Sequence, residues 1–151
     1  KGTNRMPGYS LSEEAAREAI DEEGWYHTGD LGTMSEDGHI FIRGRLKNML
    51  LGANGQNVYP EEIEDKLNTM AMVSESIVVQ KDDKLVALVY PDKDEVVSFS
   101  QQELENIMEQ NRKELNEQLP VYSRISAIIL HKEEFAKTPK KSIKRYLYQN
   151  I

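Results

Sequence analysis

The sequence predicts an α+β fold: a small domain with a three-stranded antiparallel sheet and helices, preceded by the end of another domain. Two β-rich runs joined by a short charged turn predict a hairpin, and hydrophobic residues at helical spacing predict helices before and after it. The pattern changes near residues 45 to 47, which indicates a domain boundary. We therefore expect residues 1–45 to complete one domain and residues 46–151 to form the small domain.

The first part of the chain predicts a short helix and a hairpin. Ser10 to Glu13 has the spacing of a capping box, and the alanine-rich helix that it starts would stop at Gly24. A turn at residues 36–38 predicts that the strand Ile40-Phe41-Ile42 pairs back across it. Trp25 is interpreted as a core residue and not as a stacking platform.

The small domain begins with a helix and continues with a hairpin. Pro60, followed by two glutamates, predicts a helix N-terminus, since proline wastes no backbone donor there and carboxylates match the helix dipole. Residues 76–80 and 85–90 are two runs with strong β propensity. Because only the charged residues 81–84 separate them, we predict an antiparallel hairpin.

A long helix, a third strand and a short helix complete the predicted fold. Ser100 to Glu103 matches a second capping box, and hydrophobic residues keep helical spacing until Pro120 ends the helix. Residues 125–130 predict the third strand. The lysine-rich tail is predicted to close with a short helix that carries Ile143 and Leu147.

The composition argues against several classes of function. A net charge of −7 is unlike a general nucleic-acid binder, because neutralising phosphates needs a basic surface. The absence of cysteine excludes disulfides, thiolate catalysis and cysteine metal sites. No apolar run approaches the roughly 20 residues that cross a bilayer, so we expect a cytoplasmic protein. The chain starts without Met in a loop-like segment, from which we expect an excised piece of a longer protein.

Basic residues crowd the C-terminal end of this acidic chain. Such a cluster suggests a local anionic partner such as a phosphate, and a solvated charged helix is the alternative interpretation. The basic side chains are Lys132, Lys137, Lys140, Lys141, Lys144 and Arg145.

A Thr-Gly-Asp turn at Thr28, Gly29 and Asp30 is the first candidate site. Glycine lets the backbone bend tightly and leaves the carboxylate exposed beside a hydroxyl. Such a carboxylate can accept two hydrogen bonds from a vicinal diol such as ribose, and charge-assisted bonds of this kind are strong. The alternative is an ordinary turn, since this tripeptide is common in turns.

Several motifs in order resemble those of the adenylate-forming superfamily, which includes acyl-CoA synthetases, firefly luciferase and the adenylation domains of peptide synthetases. The motifs that carry the resemblance are Gly2 to Tyr9, Tyr26-His27-Thr28-Gly29-Asp30, Gly44-Arg45-Leu46-Lys47, Gly55 and Pro60-Glu61-Glu62-Ile63-Glu64. The segment from Trp25 to Gly32 and the Lys-Thr-Pro tail are most similar to bacterial long-chain fatty-acid–CoA ligases.

The resemblance implies a role for each matching position. Asp30 would hold the ribose hydroxyls of ATP and of the acyl-adenylate, and Arg45 and Thr28 would contact the same nucleotide. Lys47 falls where the family has the hinge about which the small domain rotates between two working positions. Gly55 would line the tunnel through which the CoA thiol approaches, and a simple turn is the alternative interpretation of this glycine.

The catalytic lysine of the family does not match this sequence directly. The family places it four residues after a threonine near the C-terminus, and counting from Thr138 reaches Ser142, which cannot supply the positive charge. We therefore assign the role to Lys141 by a one-residue shift, with Lys140 as second choice. The alternatives are that adenylation is weakened or uses other cations, or that the tail is a solvated basic helix.

The resemblance as a whole implies that residues 1–45 end the large adenylation domain and residues 46–151 form the small C-terminal domain. The full-length enzyme would use ATP, Mg²⁺ and CoA to convert a carboxylic acid, expected to be a fatty acid, into acyl-CoA. The alternatives are an adenylation domain that loads a carrier-protein thiol and a binding module without turnover. We expect the isolated chain to be inactive without its N-terminal adenylation domain, and membrane contact only through the fatty substrate.

The histidines are not expected to form a metal site. They are scattered along the chain, and neither their spacing nor the nearby acids make a ligand set. The three are His27, His39 and His131.

Overall fold

The computed structural model of the protein describes residues 2–4, 6–10, 12–52 and 54–149. The chain divides into two compact units, Lys1–Lys47 and Asn48–Ile151. Arg5 of the lead-in motif and the last two residues of the predicted small domain lie outside the described residues. Within the described ranges, no helix has both the length and the apolar character needed to span a membrane.

The first unit begins with helix α1, Glu13–Ala19. The predicted capping box at Ser10 was wrong, because Ser12 caps the helix instead: its hydroxyl accepts a hydrogen bond from Ala15 N at 3.2 Å. Two glutamates in the first turn favour this start electrostatically. The helix ends at Ala19, ahead of the predicted stop at Gly24, because Ile20 is already extended and bridges to the next segment.

A two-stranded antiparallel sheet follows, made by β1, Asp30–Met34, and β2, Ile40–Arg45. This confirms the predicted pairing across the turn. Gly32 lies beside a bulge in β1, and a Cβ on it would stand 2.8 Å from the carbonyl oxygen of Phe41, so a side chain does not fit there. Trp25 is 52% exposed, so the prediction that it lies in the core was wrong for this unit.

The second unit is built on a mixed sheet of three strands, β5, β6 and β7. Two shorter strands that precede this sheet in sequence, β3 (Leu50–Leu51) and β4 (Asn57–Val58), form a separate small pair. The strands of the sheet, in spatial order, are β5, Val73–Lys81, β6, Lys84–Pro91, and β7, Ala127–Leu130.

The predicted hairpin is confirmed by the antiparallel pairing of β5 with β6. Asp82 and Asp83 make its two-residue turn with φ of 47° and 60°, the left-handed conformation that such tight hairpins require. The prediction that all three strands are antiparallel was wrong, because β7 runs parallel to β6. A crossover helix between β6 and β7 returns the chain to the start of the sheet, and a strand that enters there must run in the same direction.

The second unit has three α-helices among its described residues. They are α2, Pro60–Leu67, the short α3, Lys93–Val96, which was not predicted, and α4, Gln101–Glu117. Of these, α2 and α4 pack on one face of the sheet. The predicted capping box at Ser100 is confirmed, with both of its hydrogen bonds to Glu103 present. The core between the helices and the sheet is apolar, and its most buried members include Val58, Ile63, Leu67, Val78, Val89, Leu115 and Ile125.

The C-terminal tail covers the opposite face of the sheet. Phe135 is 2% exposed and joins a second apolar cluster with Leu88, against which Ile143 and Tyr148 pack. The predicted short helix through Ile143 was wrong: this residue makes an isolated bridge to Lys137, and up to residue 149 a single 3₁₀ turn, Arg145–Leu147, is the one helical element that follows. A chain reversal just before Ile143 prevents the 3.6-residue repeat from starting there.

Candidate functional site

The Thr-Gly-Asp turn and Arg45 form one hydrogen-bonded group at the end of the two-stranded sheet. The Thr28 hydroxyl accepts from Asp30 N at 3.1 Å, and Gly29 has a φ of +73° that closes the turn. Arg45 Nε lies 2.9 Å from Asp30 Oδ1, while Arg45 Nη1 donates to the carbonyl oxygen of Thr28 at 2.8 Å. The guanidinium therefore bridges the carboxylate and the backbone of the same turn.

This group is open to solvent. The side chain of Arg45 is 60% exposed and that of Asp30 is 32% exposed. An exposed ion pair contributes little to stability, with a typical net value of about 0–1 kcal/mol. Its carboxylate and guanidinium remain accessible to a polar ligand, and the structure thus brings together the three residues predicted to contact the nucleotide.

Lys47 lies in a single 3₁₀ turn, Leu46–Asn48, and is the last residue of the first compact unit. Its neighbour Asn48 is tied into the second unit, since Asn48 Nδ2 donates to Glu61 Oε1 at 2.5 Å. The side chain of Lys47 is exposed, so a hinge at this position would act through rotation of the backbone. The hinge role stays a prediction.

Gly55 lies in the exposed loop between β3 and β4. It has a φ of +77°, its N–H donates to Gly52 O at 2.8 Å, and Gly52 N donates to Gln56 O at 2.8 Å. Apart from Gly55 and its two chain neighbours, no atom of the described residues lies within 4 Å of the position that a Cβ on Gly55 would occupy. The turn accounts for the glycine conformationally, and the open space above it is compatible with a ligand; the tunnel role stays a prediction.

A cleft of about 480 Å³ lies next to this loop and was not foreseen from the sequence. Gly52 and Asn54 line one side of it, and Lys84, Tyr122 and Arg124 line the others. The cleft therefore combines two cations and an aromatic ring with one carboxylate, that of Asp83, and its cations and ring are groups that a phosphorylated ligand with a planar base can contact. These residues come from three separate segments, so no sequence motif marks them.

The lysines at the C-terminus lie on a tight reversal that we call the basic turn, residues 138–142. Thr138 N donates to Ser142 O at 2.8 Å, and Lys141 N donates to Thr138 O at 2.9 Å. Lys141 has a φ of +63°, a left-handed conformation that lysine adopts only at a cost. Within the described part of the chain, neither Lys140 nor Lys141 has an ion-pair partner, and both side chains are exposed.

Two other basic residues of the tail are already engaged. Lys137 Nζ lies 2.5 Å from both Glu134 Oε1 and Glu75 Oε1, and the hydrogen bonds that its ammonium donates to Glu134 and Glu75 raise the pKa of Lys137. Arg145 pairs with Glu64. The cationic groups that the basic turn presents to solvent are therefore Lys140 and Lys141, the two residues predicted to be catalytic; that role stays a prediction.

The carboxylate of Glu64 is buried, a feature that the sequence analysis missed. Its side chain is 8% exposed, Oε1 accepts from Val78 N at 2.6 Å, and Oε2 pairs with the guanidinium of Arg145. Burial raises the pKa of Glu64 above its ordinary value, although Arg145 and the backbone N–H act in the opposite direction. Its burial could have been inferred from the sequence, because Glu64 lies beside Ile63 on the apolar face of a helix.

The three histidines have separate surroundings. His27 Nε2 lies 3.0 Å from Asp21 Oδ2, and His39 Nδ1 lies 2.7 Å from Asp37 Oδ2. His131 stacks on a phenylalanine with ring centroids 5.0 Å apart. Over the described ranges, no group of three or more His, Cys, Asp or Glu side chains could hold a metal ion.

Comparison with known proteins places these features in a family. The family described as "AMP-binding enzyme C-terminal domain" matches residues 47–150. The chain is 39% identical over 89 residues to long-chain-fatty-acid–CoA ligase ACSBG2 of Gallus gallus, which covers 58% of this chain and 12% of that protein. It is 54% identical over 67 residues to luciferin 4-monooxygenase of Luciola mingrelica, covering 44% of this chain and 12% of that protein.

Among solved structures, ATP-bound MatB from Rhodopseudomonas palustris superposes with a TM-score of 0.71 at 26% identity, covering 99% of this chain and 28% of that one. The chain thus spans only a small part of the length of each of these proteins. The resemblance inferred from the motifs is confirmed, and the chain belongs to the AMP-binding enzyme C-terminal domain family.

Proposed function

We propose that this chain is the C-terminal part of an ATP-dependent, AMP-forming acyl-CoA synthetase. In this proposal residues 1–45 end the large adenylation domain, and residues 46–151 form the small C-terminal domain. The observation that carries the proposal is the family match over residues 47–150, and long-chain fatty-acid–CoA ligases among the relatives support a fatty acid as the substrate.

The reaction has two half-reactions. The carboxylate of the acid attacks the α-phosphorus of ATP, the bond to the bridging oxygen breaks, and pyrophosphate leaves with the acyl-adenylate formed. The thiolate of CoA then attacks the acyl carbon, and AMP leaves with the phosphate oxygen. Mg²⁺ accompanies the ATP phosphates and offsets their charge in the first half-reaction.

The nucleotide end of the site is assigned to the Thr-Gly-Asp turn. The exposed carboxylate of Asp30 accepts hydrogen bonds from the ribose hydroxyls, a stronger interaction than one with a neutral acceptor. Arg45 orients that carboxylate by its contact at 2.9 Å, and adds a cationic donor for the nucleotide. Thr28 holds the turn through its hydroxyl.

The two half-reactions are assigned to different parts of the small domain. The basic turn brings Lys141, with Lys140 as second choice, to the acid carboxylate and the α-phosphate, where positive charge stabilises the transition state. The loop with Gly55 lines the path of the CoA thiol, and the neighbouring cleft offers Lys84 and Arg124 to the CoA phosphates. Backbone rotation at Lys47 exchanges the two parts.

The proposal places the enzyme in the cytoplasm, where ATP and CoA are available. Its partners are then the small-molecule substrates and the N-terminal adenylation domain. In this proposal, membrane contact comes only through a fatty substrate.

The test uses the full-length protein, ATP and Mg²⁺ with carboxylic acids of graded chain length. We expect pyrophosphate release with long-chain acids and acyl-CoA formation when CoA is added. Acyl transfer only to a phosphopantetheinylated carrier protein would favour the carrier-loading alternative. No pyrophosphate release with any acid, together with no binding of AMP or CoA, would indicate a module without turnover and defeat the proposal.

A further inference from the structure

We propose that Glu64 is a positioning residue for the basic turn and that it acts through Arg145. The inference rests on the proposed function and deepens it, because it identifies what holds the lysines in place for adenylation. Glu64 does not contact the substrates in this proposal; it determines where the turn stands.

The first argument is the geometry of the buried pair. The two partners lie 81 positions apart in the sequence, and the side chains of Glu64 and Arg145 are only 8% and 17% exposed. Both carboxylate oxygens are occupied, one by the guanidinium and the other by Val78 N at 2.6 Å. Charges in such a dry place interact strongly, and a group with no free oxygen has one orientation.

The second argument is how little else holds this part of the chain. The tail after β7 has no α-helix and no long strand among its described residues; its only regular elements are the bridge between Lys137 and Ile143 and the single 3₁₀ turn. Its other anchors are the ion pair of Lys137 with Glu75 on β5, the hydrogen bond from Ala136 N to the Tyr148 hydroxyl at 2.8 Å, and apolar packing. The ion pair at Arg145 is more buried than the pair of Lys137 with Glu75, which also joins the tail to the rest of the unit.

The third argument is the place of Arg145 relative to the basic turn. The segment before the turn is held by Lys137, which pairs with Glu75 and Glu134. The segment after the turn leads directly to Arg145, so the ion pair with Glu64 holds that segment against α2. Loss of this ion pair would release the segment that follows the basic turn, and the lysines of the turn would lose their fixed position.

The contact also links the basic turn to α2, the helix that follows the Gly55 loop. Glu64 lies within the first turns of α2, which starts at Pro60, shortly after the strand β4 that ends that loop. The basic turn and the Gly55 loop, which are assigned to the two half-reactions, are therefore both connected to α2. Only the basic turn depends on the ion pair, because the hydrogen bonds of the Gly55 loop are local.

The experiment uses the full-length enzyme with Arg145→Ala and Glu64→Gln. The glutamine keeps the shape and can still accept from Val78 N, but it removes the charge that holds the guanidinium. Arg112→Ala is the matched control, because it removes an arginine from an ion pair with Glu109 on the helix α4, away from the tail. Adenylation is followed by pyrophosphate release, and thioester formation is followed from a supplied acyl-adenylate.

We expect the kcat of adenylation to fall on the order of 10²-fold in both variants, since misplacing a reacting group by about 1 Å has an effect of this size. The KM for ATP and the rate of thioester formation should stay near the wild-type values, and Arg145→Lys should recover part of the loss. Equal loss in both half-reactions, or no loss in either, would overturn the proposal, because a general folding defect affects both alike.

Amide hydrogen exchange separates this inference from the proposed function. The N–H groups of Thr138 and Lys141 are hydrogen bonded within the basic turn. We expect them to exchange faster in Arg145→Ala and Glu64→Gln than in the wild type and in Arg112→Ala, whether or not the enzyme adenylates an acid. Unchanged exchange at both amides would contradict the positioning role even if the synthetase activity is found.

Discussion

Asp30, the first residue of β1, pairs with Arg45, the last residue of β2. Their side chains meet, with Arg45 Nε 2.9 Å from Asp30 Oδ1. The antiparallel register creates this contact, because it brings the start of one strand opposite the end of the next. The same guanidinium also reaches the Thr28 carbonyl, so the turn, the carboxylate and the cation form one preorganised group.

Asp30→Asn should weaken binding of ATP and AMP to the full-length protein by about 10- to 100-fold, since a hydrogen bond to a charged group is worth roughly 1.5–3 kcal/mol. Calorimetry with AMP measures the change. Asp37→Asn is the control, because Asp37 lies at the far turn of the same hairpin and hydrogen bonds to His39. Unchanged affinity in Asp30→Asn would remove the ribose assignment.

Lys141→Gly separates the charge at the basic turn from its backbone. Glycine adopts the φ of +63° without strain, a gain of roughly 1–2 kcal/mol that the greater freedom of the unfolded chain offsets only in part, so we expect a net stabilisation of about 0.5–1 kcal/mol. Adenylation should nevertheless fall strongly, because the amine is gone. Urea unfolding and pyrophosphate release measure the two effects. Lys132→Gly is the control, and full adenylation by Lys141→Gly would transfer the assignment to Lys140.

Gly55→Ala should lower thioester formation and leave adenylation unchanged, because the new methyl group would project into the path assigned to the CoA thiol. Gly38→Ala is a close control: Gly38 has a φ of +86°, similar to the +77° of Gly55, and neither has an atom within 4 Å of its Cβ position. Both variants should lose about 1 kcal/mol of stability. Similar thioester rates in the two variants would argue against the tunnel.

Arg124→Ala should raise the KM for CoA by about tenfold, the effect of losing one charge-assisted contact to a phosphate, with the adenylation rate unchanged. Arg124 lines the cleft beside the Gly55 loop and is exposed, so its loss should have little effect on folding. Steady-state kinetics with CoA and with pantetheine, which lacks the nucleotide phosphates, provide the measurement. An equal rise for both acceptors would contradict a phosphate contact.

The buried carboxyl of Glu64 should make the stability of the protein depend on pH in an unusual direction. Burial raises its pKa above the ordinary value of 4.5. The folded state then binds a proton more readily than the unfolded chain, so the contribution to stability is present below that value and is lost as pH rises through the raised pKa. The difference in unfolding free energy between wild type and Glu64→Gln should therefore decrease as pH rises, as measured by urea unfolding.

Glu103→Gln supplies the opposite case for the same measurement. Hydrogen bonds from the Ser100 side chain and backbone lower the pKa of Glu103. Its contribution is present above the ordinary pKa and is lost as pH falls through the lowered one. The difference between wild type and Glu103→Gln should thus increase as pH rises, and equal slopes for the two variants would contradict the burial of Glu64.

Local patterns predicted the parts of the fold that depend on short-range chemistry. The capping box at Ser100 and the hairpin through Asp82 and Asp83 were predicted from residues next to each other, because caps and tight turns are decided by neighbouring groups. The cap of α1 was misplaced by two residues, since two serines stand near its start and only the packed backbone decides between them.

The direction of β7 could not be read from its residues. A strand with these apolar side chains pairs equally well in either sense, and the crossover through α4 determines which one is available. The tail likewise carries helical spacing at Ile143 and Leu147, but the reversal at Lys141 and packing against the sheet override that weak local preference.

The sequence by itself determined the family and the candidate nucleotide group, because the residues of a motif that acts through a turn and a strand register are close along the chain. Only the tertiary structure decided that Glu64 meets Arg145 and that Lys84 and Arg124 share a cleft. Such contacts join segments far apart in sequence, and they exist only once the core has brought α2, the sheet and the tail together. Burial then turns an ordinary helix glutamate into the anchor of the basic turn.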